Sequence, residues 1–97
     1  MASEPILITV LYFAGAQSAV KRQSEQVSLP SAAQDPGFPL TKLAERLSEL
    51  HPDTGLAAVL ATSQWSINEE MVPVDDVGGT WLRGGETIAV IPPVSGG

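Results

Sequence analysis

The chain contains no cysteine. Its absence excludes disulfides, thiolate metal sites and a catalytic thiol, and it suits a reducing, cytosolic setting. Any thiol-like chemistry must therefore be added later. Histidine occurs once, at His51, so a catalytic pair of histidines is excluded. Basic residues are also scarce: five Lys and Arg stand against eleven Asp and Glu, a formal net charge of −6. Nucleic-acid and anionic-membrane binders need clustered cations to offset phosphate charge, so neither partner is expected here. Acidity of this size confers solubility and is compatible with docking on a basic protein surface. No apolar run is long enough to span a bilayer, and the acidic start Met1-Ala2-Ser3-Glu4-Pro5 lacks the basic region of a signal peptide. The expectation is a soluble cytoplasmic protein.

What is present is globular material. Hydrophobic residues make up 43% and charged residues 16% of 97 positions, which is enough for one domain with a modest core.

Residues 6–13 are short, β-branched and aromatic, and they stop at Ala14-Gly15, which favours a strand over a helix. Alternation places Ile8, Val10 and Tyr12 on one face and Leu7, Leu11 and Phe13 on the other, as in a strand inside a sheet. Residues 17–25 are polar, and residues 26–29 alternate as a second, antiparallel strand before Pro30, so a hairpin is expected. Residues 31–39, with Asp35-Pro36-Gly37, read as a surface loop. From Leu40 to His51 the leucines at 40, 43, 47 and 50 recur at helical spacing, with Pro39 at the start and Pro52 after the end. This is the one clear helix, and it should lie across the sheet. His51, at its end, reads as a contact with the helix dipole rather than as a catalytic base.

Residues 56–61 have no clean period and fit either a short helix or the start of a strand. Residues 64–68 alternate and Met71-Val72 follow Glu69-Glu70, which indicates a tight hairpin around residues 68–70. The pairs Glu69-Glu70 and Asp75-Asp76 lack a histidine or third ligand and read as solvated turns, not as metal or acid-base sites. Residues 77–86 carry two glycine pairs without the lysine and hydroxyl residue that a phosphate loop requires. Trp81 and Leu82 are expected to plug this loop onto the core, with Gly84-Gly85 turning into a last strand over residues 87–91.

That strand runs into Pro92-Pro93-Val94-Ser95-Gly96-Gly97. Two prolines remove two donors and must end a ladder, so the chain beyond them should leave the body of the domain. This divides the chain into a domain over residues 1–91 and a flexible tail over 92–97. Two terminal glycines are slim enough to thread a narrow channel, and their one reactive group is the terminal carboxylate. With a pKa of about 3.3–3.7 it is ionised at neutral pH and is a poor electrophile until activated. Adenylation by ATP on a partner enzyme is the evident route. Read alone, the Gly-Gly ending is better explained as a frayed terminus, as most termini are.

The order strand, Pro-Pro, Val-Ser, Gly-Gly resembles the ending of the molybdopterin synthase small subunit family, the ubiquitin-like sulfur carriers. The resemblance implies an α+β, β-grasp domain: a mixed sheet, one main helix packed across it, and an extended C-terminal tail. It implies that Gly97 is adenylated, converted to a thiocarboxylate and inserted into the large synthase subunit. There sulfur would pass to cyclic pyranopterin monophosphate, and two transfers would build the dithiolene. No permanently bound cofactor is implied; the acyl-adenylate and thiocarboxylate are transient covalent states. The chain would then act within a sulfurtransferase complex, with two small subunits on a large-subunit dimer and no autonomous active site.

By the same resemblance Phe13, Met71 and Ile91 belong to a patch facing the large subunit. Pattern alone equally makes Phe13 a second-layer core residue and Met71 a gap filler. Gly85 stands where many family members have aspartate, a departure that touches no chemistry. Carriers for thiazole, cysteine or tRNA thiolation share the ending in part. A ubiquitin-like protein modifier and a plain interaction domain with an inert tail are the alternatives from other classes.

Overall fold

Strand β1 (Ile6–Tyr12) has the alternation of a strand covered on one face: Ile6, Ile8, Val10 and Tyr12 are buried, whereas Leu7 is 52% exposed. The computed structural model describes residues 6–29 and 37–93. β2 (Ser24–Leu29) runs antiparallel to β1, in register from Ile6 opposite Leu29 to Leu11 opposite Ser24. On the other side of β1 lies β7 (Thr87–Ile91), parallel to it, with Val10 opposite Ile88 and Tyr12 opposite Val90. β4 (Gln64–Ile67) pairs antiparallel with β7, and β5 (Glu70–Val72) forms the edge, giving the order β2-β1-β7-β4-β5. Parallel neighbours need a long crossover, and the chain between β2 and β4 supplies it as helices on one face.

A 3₁₀ turn at Leu40–Lys42 leads into α2 (Leu43–Leu50), the helix read from the leucine spacing. Leu40, Leu43 and Leu47 are fully buried, each contributing about 1.5–3 kcal/mol. Leu50 departs from the expected stripe. It is the last helical residue, where the chain turns away through His51, and it is 42% exposed.

Two further helices stand where the residue pattern is weaker. The expected polar hairpin connection after β1 is instead α1 (Ala14–Val20), whose Ala16 and Val20, one turn apart, are buried. α1 ends at Lys21, in the left-handed region at φ 61°, whose N–H donates to the Gln17 carbonyl. The unperiodic run 56–61 resolves as α3 (Leu56–Thr62), with Leu56 and Leu60 buried on one side. The Leu56 N–H donates to Thr54 Oγ1 at 3.2 Å and so satisfies one open donor at its start.

Residues 31–36 of the expected 31–39 loop lie outside the described residues. Phe38–Pro39 form β3, which pairs with β6 (Trp81–Leu82) in a two-residue ladder. Only half of the expected plug is correct. Leu82 is fully buried opposite Phe38, while Trp81 points the other way and is 37% exposed, since adjacent residues of a strand face opposite sides.

The hairpin around residues 68–70 is present as a two-residue turn between Ile67 and Glu70. Asn68 and Glu69 both have positive φ, 51° and 73°, the signature of a type I′ turn. Asparagine tolerates this region. A glutamate there costs about 1 kcal/mol relative to the glycine that usually occupies the second place.

Candidate functional site

Because the helices cover one face of the sheet, its other face is open, and strand alternation decides what it presents. From β1 come Leu7 and Leu11, and Phe13 just after its end; from β7, Ala89 and Ile91; from β4, Ser66; and from β5, Met71. Phe13 is 47% and Met71 50% exposed, and Ile91 is half-buried. The three residues expected in a patch thus share one face. Phe13 is not a core residue.

Between them lies a depression of about 520 Å³. Its low centre is made by the small residues Ser66 and Ala89, 5% and 7% exposed and opposite one another in the ladder. Leu11, Phe13 and Ile91 form the apolar side, and Asn68, Glu69 and Thr87 close the far end. Met71, opposite Ser66 on the next strand, stands outside the depression but on the same face. Sequence pattern had placed Leu11 with Phe13, but Ser66, Ala89 and Glu69 escaped it. Ser66 and Ala89 matter here for being small, and Glu69 had read as a solvated turn.

β7 ends at Ile91, as two prolines require, and Pro92 is still buried while Pro93 is exposed. Val94, Ser95, Gly96 and Gly97 lie outside the described residues. The parallel register ends at Tyr12 opposite Val90, the Phe13 N–H donates to the Val90 carbonyl at 3.3 Å, and Phe13 and Ile91 line the same depression, so the chain leaves the sheet at the border of the open face.

On the opposite side is a polar cluster with no counterpart in the sequence reading. The Tyr12 hydroxyl and His51 Nε2 both meet Glu25 Oε2, and Arg22 donates to Glu25 Oε1 at 3.2 Å. Burial, and then the hydrogen bond to Glu25, push the Tyr12 phenol above its ordinary range, so it stays a donor. His51 thus does more than cap α2: its N–H donates to the Leu47 carbonyl while its ring ties the helix to β2. Among the described residues, no group of three or more His, Asp or Glu converges on a metal position, and no helix is long and apolar enough to cross a membrane.

A model of the ThiS family matches residues 10–97, nearly the whole chain. The chain belongs to the ThiS family. Within it, a Mycosarcoma maydis protein called molybdopterin synthase sulfur carrier subunit is 38% identical over 90 residues, covering 93% of this chain and 92% of the relative. The fold agrees with that of the small archaeal modifier protein 1 of Methanosarcina acetivorans, at a TM-score of 0.73 and 19% identity over 98% of this ThiS-family chain and 100% of the other. It also agrees with a chain in the Helicobacter pylori 26695 complex of subunits 1 and 2 of molybdopterin-converting factor, at a TM-score of 0.60 and 22% identity over 95% and 100%. The architecture is the ubiquitin-like β-grasp.

Proposed function

We propose that this ThiS-family chain is the sulfur carrier subunit of a molybdopterin synthase, with Gly97 as the group that carries sulfur. The observation that carries the reading is the extent of the match: similarity to the fungal sulfur carrier spans nine-tenths of both chains, and the family match runs on to Gly97. Physical chemistry is consistent with it. A domain without a thiol can carry sulfur only on a group made reactive elsewhere, and a carboxylate at the end of a slim tail is such a group.

In this proposal a partner enzyme transfers the AMP moiety of ATP to the Gly97 carboxylate, releasing pyrophosphate, and sulfide-level sulfur from a donor then displaces AMP to give a thiocarboxylate. The large synthase subunit docks on the open sheet face, with Phe13, Met71 and Ile91 in contact. Pro92 and Pro93 direct Val94, Ser95, Gly96 and Gly97 into its channel. Sulfur then passes to cyclic pyranopterin monophosphate and Gly97 returns to a carboxylate. A dithiolene needs two sulfur atoms, hence two deliveries.

Reconstitution tests the proposal. With the large subunit, an activating enzyme, ATP, a sulfur donor and the pterin precursor, a chain lacking Gly96 and Gly97 is expected to retain the complex and form no molybdopterin. Full product formation by the truncated chain would remove the role assigned to the tail.

A further inference from the structure

We propose that Glu69 is a charge anchor on the open face, receiving the head group of a long basic side chain from the large subunit. The inference rests on the reading of that face as the docking surface and adds the chemistry of one contact within it.

Backbone conformation supplies the first ground. Glu69 takes the second place of the I′ turn at φ 73°, where glycine is the usual residue. A strained conformation kept by a residue with a functional group points to use of that group. The turn is also held in place. The Asn68 N–H donates to the Thr87 carbonyl at 2.8 Å, and the Thr87 N–H donates to Asn68 Oδ1 at 3.0 Å. These two bonds fasten the turn to β7 and fix the position from which Glu69 extends.

The second ground is the shape and charge of the depression that Glu69 closes. Among the described residues, Glu69 is the one charged residue lining it, and no lysine or arginine lies along its border. Among the described residues Glu69 enters no ion pair; those present involve Glu25 and Glu49. A hollow with a floor of Ser66 and Ala89, an apolar wall of Leu11 and Ile91 and a carboxylate at one end matches a lysine or arginine, which has an aliphatic stem and a cationic head. The neighbouring Glu70 pairs with Ile67, one step along the strand from the Ser66–Met71 pair and so on the other face of the sheet, and serves as an internal control.

The test measures affinity of the full chain for the large subunit by calorimetry, at low and high salt, for wild type, E69Q, E69G and E70Q. E69Q and E69G are expected to bind about tenfold more weakly at low salt, and that difference should shrink as salt rises. E70Q should match wild type. E69G should melt no lower than wild type, because glycine is at ease at this φ, so its weaker binding cannot be ascribed to a damaged fold. Wild-type affinity in both E69Q and E69G would overturn the anchor and leave the docking face intact. Weaker binding by E69G alone would also overturn it, since the backbone and not the charge would then matter. If the wild-type chain fails to bind the large subunit, the docking-face reading falls and the anchor with it.

Discussion

His51 Nε2 lies 2.6 Å from Glu25 Oε2, and the Tyr12 hydroxyl donates to the same oxygen at 2.5 Å, so one carboxylate joins the end of β1, the start of β2 and the end of α2. Burial alone would raise the Glu25 carboxyl. Hydrogen bonds from Tyr12 and His51, with the charges of His51 and Arg22, outweigh burial and hold it below its ordinary value of 4.5.

The pH dependence follows from the sign of that shift. A carboxyl lowered in the folded state stabilises the fold above its unfolded pKa, and the contribution is lost as pH falls through the folded value. E25Q is expected to lose about 1–3 kcal/mol at pH 7 in urea unfolding. Below about pH 4 the gap between wild type and variant should narrow. A gap that stays constant from neutral to acid pH would show that the carboxylate contributes nothing through its charge.

The leucine stripe gives a graded prediction. Leu47 is fully buried, so Leu47→Ala removes a side chain from the core and should cost about 2–5 kcal/mol. Leu50 is 42% exposed, and Leu50→Ala should cost less than about 1 kcal/mol. Equal losses in the two variants would mean that the end of α2 is packed as tightly as its middle.

These residues also show how far the sequence could be read. β2 and β4 alternate, β1 and β7 are short β-branched runs bounded by turn residues, and α2 carries leucines one turn apart, so local pattern alone reveals them. α1 gives no such signal. Its buried side is only Ala16 and Val20, and no side chain caps its start. α3 hides Leu56 and Leu60 among alanines. β3 and β6 are two residues each, too short for any period to show. The Tyr12, Glu25 and His51 cluster joins residues far apart in the chain, and the depression at Ser66 and Ala89 depends on register between strands. Both arise from tertiary structure. The Pro-Pro-Val-Ser-Gly-Gly run, by contrast, was legible at once because its chemistry resides in the order of residues itself.

Phe13 tests the face apart from the fold. With 47% of its surface exposed on the open side, Phe13→Asp should change unfolding stability by no more than about 1 kcal/mol. Placing a carboxylate against an apolar partner surface should weaken binding of the large subunit at least about tenfold. Unchanged affinity would take Phe13 out of the interface.

The central claim is that sulfur is carried on Gly97. It is tested most directly by incubating the chain with an adenylating enzyme, ATP and a sulfur donor, alkylating thiols, and sequencing the C-terminal peptide by mass spectrometry. The chain has no cysteine to take the label. Intact mass alone is ambiguous, since replacing oxygen by sulfur adds nearly the mass of one methionine oxidation and two methionines are present. The account predicts an alkylated thiocarboxylate at Gly97 that depends on ATP and disappears when one residue is added after it. An unlabelled Gly97 beside an adenylating enzyme proven active on another carrier, or a label that survives the extension, would contradict it.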